Sequence, residues 1–325
     1  MDAFEIRKKL IIKSLNNRFL VITSEDKFAS KITKSLNFAY LIIKEGKITY
    51  IVHKAQDDNS ISENEKIVTM DPEGTLLKIK GKDKIFSPHP DLLKNFMAEK
   101  IDLDSIFRKP YDDEIKIIKE GAALLDKALE NSVNNISIGM KEFEIKAEID
   151  YAISKIGFES FSYPTVVLVG ERSSIPLGRT GQRVLENGDI VQIDVSPIYK
   201  GYDLSIARII FTEIDQDLKD LWKKYNKVFE IVTQYLRPGV QADKIDSITR
   251  GYISQIGFSY PHFSGYPLGG FTSPNIYPGS NDILERNSVF IFSPGLYVNN
   301  KFGFRIKRMV HITDNSFETL DKFGE

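Results

Sequence analysis

The stretch from Ile193 to Arg208, IDVSPIYKGYDLSIAR, ends an apolar run on Asp194, turns through Pro197 and Gly201, and returns through Ile206 toward Phe211. A carboxylate that closes one strand of a hairpin, with Tyr202 and Asp203 just past the turn and Arg208 on the way back, can hold a cation or exchange a proton. His262 and Tyr266 lie in a segment whose aromatics (Phe258, Tyr260, Phe263, Tyr266, Phe271, Tyr277) alternate with glycine and proline. Such a segment reads as the rim of a cleft able to take a peptide with a proline or aromatic side chain. Lys307 sits on the run FRIKRMVHIT, and a desolvated lysine can titrate near neutrality and act as nucleophile or base. His311, on the same run, reads as packing. The loop GERSS, Gly170 to Ser174, lacks the lysine and spacing of a nucleotide-phosphate motif. The chain has no cysteine, which excludes disulfides, thiolate nucleophiles and thiolate metal sites.

Two kinds of element must position these groups. Over the first hundred residues, strand-like runs (RFLVIT, AYLIIK, KITYIVH) alternate with helix-like ones (DKFASKITKSL, PDLLKNFMAEK), which predicts a small α/β domain over residues 1–110. Pro110, followed by Asp112 and Asp113, is a helix-start signal where longer amphipathic segments begin. Beyond it the sequence repeats: ISKIGF at Ile153 recurs as ISQIGF at Ile253, each soon followed by SYP, with Gly139 and Gly239 ahead of them at the same offset. Gly157 and Gly257 stand where a helix closes on glycine. The pattern predicts an α+β domain over 111–325, built as helix, helix, hairpin twice over, with repeats of about 111–213 and 214–325.

Lys plus Arg (44) balances Asp plus Glu (45), so no global field favours nucleic acid or a membrane surface. The N-terminal MDAFEIRKKLIIKSL lacks the apolar core of a signal peptide, and no run approaches the roughly 18 apolar residues of a membrane span. The expected location is the cytoplasm.

From about residue 108 onward the motifs RKPYDDEIKIIKEGAALLDKAL, GMKEFEIKAEIDYAISKIGFESFSYPTVV, ENGDIVQID, GYDLSIAR, SPGLYV and FRIKRMVHITD resemble the pita-bread family of aminopeptidase P, prolidase (Xaa-Pro dipeptidase), methionine aminopeptidase and creatinase. The resemblance implies a pita-bread fold behind a creatinase-like N-terminal domain. In most of that family two Mn, Co, Fe or Zn ions are held by two aspartates, a histidine and two glutamates, and a bridging water attacks the peptide. Carried over by motif, the first aspartate falls on Asp194, the second on Ser205, the histidine on Tyr266 and the glutamates on Ser293 and Lys307. Arg208 and Arg305 keep their motif places. Asp203 lies two positions from Ser205, about 6.6 Å along a strand. His262 matches an outer histidine that is not a ligand. The substrate-binding or proton-relaying histidines fall on Leu177 and near Ser273, and without the former the metal-free route of creatinase is also missing.

The expectation is therefore a prolidase-like protein without bound metal or other cofactor, in which the Lys307 ammonium neutralises Asp194 where an ion stood. Its cleft, with Leu177, Tyr202, Asp203, His262 and Arg305 as lining candidates, would bind a peptide or small amide. Relatives of this kind are commonly homodimers, and no nucleic-acid or membrane partner is expected. The alternative is a dipeptidase-like or creatinase-like hydrolase using Asp203, His262 or Lys307 in a non-standard site.

Overall fold

A computed structural model describes residues 2–63 and 65–324, and the chain divides into two compact units between Phe107 and Arg108. In the first unit α1 (Ala3–Leu15) starts on Asp2, whose carboxylate accepts from the Glu5 N–H at 3.0 Å. Strands β1 (Phe19–Thr23), β2 (Tyr40–Lys44), β3 (Lys47–His53), β4 (Lys66–Thr69), β5 (Ile85–Ser87) and β6 (Glu99–Lys100) form one sheet in the order β4-β3-β2-β1-β5-β6. Helix α2 (Pro72–Lys80) is capped by Asp71, with Pro72 in its first turn. The central strands are buried on both faces: Leu20, Ile22, Leu41 and Ile43 face one core and Phe19, Val21 and Ile42 the other.

Two segments whose spacing predicts helices are not helices. DKFASKITKSL carries only a short 3₁₀ turn (Ala29–Lys31), and PDLLKNFMAEK a 3₁₀ turn (Pro90–Phe96) followed by β6. Local side-chain bonds compete with the helix ladder. Asp26 accepts from the Phe28 N–H at 2.9 Å and holds His89 at 2.9 Å, while Met97 takes a left-handed backbone at φ 50.

In the second unit the repeat is visible in the elements. The first half holds α3 (Asp112–Val133), α4 (Glu142–Lys155), β7 (Ser160–Val169), β8 (Ile190–Tyr199), β9 (Tyr202–Asp203) and β10 (Ile206–Phe211). The second holds α5 (Gln216–Thr233), α6 (Ala242–Gln255), β11 (Gly265–Pro267), β12 (Val289–Phe292), β13 (Gly295–Val298), β14 (Phe302–Arg305), β15 (Arg308–Ile312) and β16 (Phe317–Thr319). Helices α4 and α6 each run 14 residues, and the glycines after them, Gly157 and Gly257, both turn left-handed at φ 109 and 92. Only glycine enters that region without a Cβ penalty, so the same residue ends the same helix in both halves.

Each half is richer in strands than a plain hairpin. Strand β7 precedes the first hairpin in the order β10-β8-β7, with β9 also paired to β8, and the second sheet runs β11-β12-β15-β16. The predicted long runs SVFIFSPGLYV and FRIKRMVHIT break at Pro294, which has no N–H to donate, and at Ile306–Lys307, leaving β13 and β14 as a separate pair. Strand β12 is buried on both faces, Val289 and Ile291 against the cluster under α3 and α4, Phe290 and Phe292 against the one under α5 and α6. No helix among the described residues is long and apolar enough to cross a membrane.

Strand β14 presses on the 170–174 turn: the Gly303 N–H donates to Ser173 Oγ at 2.8 Å, and a Cβ on Gly303 would lie 2.2 Å from the Ser173 carbonyl oxygen and 2.6 Å from the Tyr297 ring. Neither neighbour is a free side-chain end, so Gly303→Ala is expected to cost about 1–3 kcal/mol. Gly251 in α6 has nothing within 4 Å of that position, and Gly251→Ala is expected to be neutral or to stabilise by up to about 1 kcal/mol. Urea denaturation of the two variants measures the contrast.

Candidate functional site

Strand β8 alternates. Val191, Ile193 and Val195 point into the core under α3 and α4, whereas Gln192, Asp194 and Ser196 line a cleft of about 340 Å³. The cleft's apolar wall comes from Tyr163, Val166 and Leu168 on β7 and from Pro176 and Leu177 in the following loop. Glu142, at the start of α4, holds that loop: its buried carboxylate accepts from the Val169 N–H at 2.9 Å, Arg172 Nε at 2.9 Å and the Gly181 N–H at 2.6 Å. A carboxylate at a helix N-terminus also suits the helix dipole.

The two repeats meet at Ala207. On β10 it pairs with Asp194 of β8 on one side, and on the other the Lys307 N–H donates to the Ala207 carbonyl at 3.2 Å. Asp194 and Lys307 are thus two strand spacings apart, about 10 Å of backbone, with only a methyl group between them. The long lysine side chain passes over that methyl and puts Nζ 2.6 Å from Asp194 Oδ1. Lys307 also donates to Ser205 Oγ at 3.1 Å, and Ser205 is hydrogen-bonded to Ser196 at 2.9 Å. The Tyr266 ring lies 5.8 Å from Nζ, a cation–π contact, while its hydroxyl donates to Ser205 at 3.4 Å.

A second cation faces the same acid. Arg305 Nη1 is 3.5 Å from Asp194 Oδ2 and donates to the Pro176 carbonyl at 3.2 Å, and Arg305 Nε donates to Ser293 Oγ at 3.4 Å. Burial works against its charge, but Asp194 and the neighbouring phenols of Tyr297 and Tyr266 hold its pKa above the usual value. Behind it, Tyr297 and His262 Nε2 share a hydrogen bond of 2.8 Å, and His262 Nδ1 bonds the Phe263 carbonyl at 3.0 Å. The ring must donate to that carbonyl through Nδ1, so Nε2 accepts from Tyr297. Burial first, then the charge of Arg305, push the His262 pKa down to about 4, and burial pushes the Tyr297 phenol well up.

Of the sequence-predicted positions, Asp194, Ser205, Tyr266 and Lys307 form one bonded cluster, and Ser293 joins it through Arg305. The donor set is one carboxylate, two hydroxyls, a phenol and an ammonium. Hard divalent cations need several anionic or imidazole ligands, so this set does not suit a pair of them. Among the described residues no three histidine, aspartate or glutamate side chains gather as a metal site.

Leu177 stands on the cleft rim, 78% exposed, and His262 lies behind Arg305. Tyr202 does not line the cleft: it is 1% exposed, packs by Phe271 and donates to Glu114 at 2.7 Å. Asp203 pairs with Ile198 on β9, and its carbonyl accepts from the Gly269 N–H, away from the cleft lining. Sequence reading missed Gln192 and Ser196, although the alternation in IVQIDVS carried the signal. A larger pocket of about 480 Å³ beside α5 is lined by Trp222, Phe229 and Phe292, and its Arg208 is already engaged by Phe323, Lys307 and Asp321.

His262 makes stability depend on pH with a definite sign. Its folded pKa of about 4 lies below the unfolded value of about 6.5, so the fold favours the neutral ring. That contribution is fully present above about pH 6.5 and is lost as pH falls toward 4, reaching on the order of 3 kcal/mol. Chemical denaturation across that range is expected to give a steeper fall for the native chain than for His262→Gln; parallel curves would show that the imidazole titrates as in the unfolded chain.

A sequence profile described as metallopeptidase family M24 matches residues 116–314. An uncharacterized peptidase of Bacillus subtilis is 30% identical over 215 residues, 64% of this chain and 60% of that protein. The Xaa-Pro dipeptidase of Pyrococcus horikoshii is 28% identical over 216 residues, 65% of this chain and 62% of that protein. The matched stretch thus spans about three fifths of these curated relatives. Among solved structures, prolidase from Pyrococcus furiosus aligns at a TM-score of 0.86 over 98% of this chain and 100% of its own, at 22% identity. The X-Pro aminopeptidase of Thermotoga maritima aligns at 0.84 over 97% of both, at 23% identity. The shared α+β architecture is the pita-bread fold of these enzymes, and with the profile covering most of its length this chain belongs to metallopeptidase family M24.

Proposed function

We propose that this M24 member has lost the dinuclear metal centre and with it peptidase turnover, and that its cleft binds a peptide or small amide. The observation that carries the reading is the Lys307 ammonium 2.6 Å from Asp194, with Arg305 3.5 Å from the same carboxylate. A metal-activated nucleophile depends on a cation that lowers the pKa of its bound water, and an ammonium has no open coordination position. The residues left over do not supply another route. His262 stays neutral at pH 7 with both ring nitrogens engaged, and Asp203 is off the cleft. A peptide-like ligand is supported by the likeness to an Xaa-Pro dipeptidase and a prolidase and by the cleft in this chain. The reading extends to a cytoplasmic homodimer on family likeness, and light scattering on the purified chain tests the dimer.

Metal analysis of protein purified with Mn, Co and Zn supplied is expected to find no stoichiometric ion, and Ala-Pro and Met-Pro are expected to remain intact. Two bound equivalents with turnover would overturn the reading.

The ion cluster also predicts an asymmetry. Removing one partner of a buried pair strands the other charge at about 3–5 kcal/mol. Asp194→Asn leaves two cations without an acid and is expected to show that full cost, whereas Lys307→Met leaves Arg305 facing Asp194 and is expected to cost less. Urea midpoints of both variants decide it; no loss in either would mean that the cluster does not form.

A further inference from the structure

Resting on the metal-free reading, we propose that the cleft is an anion site, which seats the carboxylate of an N-acylated, apolar amino-acid unit on Lys307 and Arg305 while Gln192 takes the unit's amide N–H. Free N-acyl amino acids and the C-terminal residue of a short peptide share this chemistry.

Charge gives the first argument. Among the described residues that line the cleft, Asp194 is the only carboxylate, and it faces two cations. The neutral state of His262 adds nothing to balance them, so the cleft carries one surplus positive charge in a largely buried place. A buried charge without its counterion is costly, and a ligand anion removes that cost. A ligand presenting an ammonium, in place of a carboxylate, to the same pair would be repelled.

Unused hydrogen-bonding capacity gives the second. Asp194 and Ser205 account for two of the three ammonium protons of Lys307, and Arg305 binds its described partners through Nε and Nη1, leaving Nη2 to present two N–H donors. Gln192 is 1% exposed, and its Oε1 has no hydrogen-bond partner among the described residues. Buried acceptors are almost always paired, and this one lies on the cleft face two residues before Asp194. It therefore asks for an N–H donor beside the place where the anion sits.

Shape gives the third. A volume of about 340 Å³ is near the lower end for small-molecule sites, enough for a single amino-acid unit and its acyl group. The mouth is apolar and wet: Leu177 is 78% and Tyr163 52% exposed, with Val166 and Leu168 deeper in. An apolar side chain there covers surface that otherwise contacts water.

Calorimetric titration of the full chain with N-acetyl-L-leucine, its carboxamide, its N-methyl analogue and Gly-Leu tests the proposal. The acid is expected to bind at least about tenfold more tightly than the carboxamide. The N-methyl analogue, which lacks the amide proton, is expected to bind more weakly than the acid, and Gln192→Leu to erase that difference. Leu177→Asp, a change on the exposed rim, is expected to weaken the acid more than the carboxamide, which loses the same apolar contact but meets no charge repulsion. Gly-Leu binding as well as the acetylated acid points to peptide C-termini, and binding of the acetylated acid alone to free N-acyl amino acids; both support the site. Equal affinity for acid and carboxamide, or no binding of any probe, overturns the anion site while the metal-free reading stands. Stoichiometric metal uptake with dipeptide turnover removes the reading beneath it.

Discussion

The contact on which the second unit turns is a lysine reaching across an alanine. Because Ala207 pairs with Asp194 within the first repeat and takes the Lys307 backbone of the second in an isolated bridge, the halves meet at this point, and the only side chain between acid and amine is a methyl group. A larger residue there would stand in the path of the lysine side chain. Closing the halves and neutralising the acid are therefore one event: the strand geometry brings the amine, and the charge pair removes the penalty of burying either group alone.

Around that contact the structure arranges polar groups in layers. Ser205, Ser196 and Tyr266 surround the ammonium, and Arg305 stands behind the carboxylate, tied to Ser293 and the Pro176 carbonyl. Farther out, the buried Asp246 of α6 pairs with Arg250, which donates to the carbonyls of Tyr260 and His262 and so fixes the loop that carries the histidine. The Tyr260 phenol, pushed up to about 12 by burial, remains a hydroxyl and bonds Ser264. A helix of the second repeat thus positions the imidazole that backs the cleft, through hydrogen bonds that each meet a buried group's demand for a partner.

How far the sequence revealed this depends on whether the signal was local. The repeat was legible because each copy of α4 and α6 ends on a glycine that must turn left-handed, and the helix faces follow a fixed period. The cluster of Asp194, Ser205, Tyr266 and Lys307 was legible through motif positions, although the pairing of residues 113 apart follows only from the sheet register. Arg305 was legible as a cleft-lining candidate, but nothing local says that it turns toward Asp194. The burial of Tyr202 follows from Glu114 on α3, 88 residues away in sequence. In the first unit the periodicity around residue 30 suggested a helix, and Asp26, bonding at once to the Phe28 amide and to His89, broke it through a contact 63 residues away.

On the reading proposed above, the replacement of ions by amines is conservative for the fold and drastic for chemistry. A scaffold that brings strands from two repeats to a shared acidic position needs positive charge there, and a tethered ammonium supplies it without the entropy of capturing a free ion or a dependence on metal supply. An ammonium, however, offers only N–H donors in fixed number. It cannot bind a water and carry it to hydroxide at neutral pH, nor clamp two oxygens of a reacting centre as paired ions do. What it does well is hold an anion, and a guanidinium beside it presents a planar pair of donors suited to a carboxylate. On that reading, the same substitutions that would remove the means of cleaving an amide would supply the means of gripping the acid beside it.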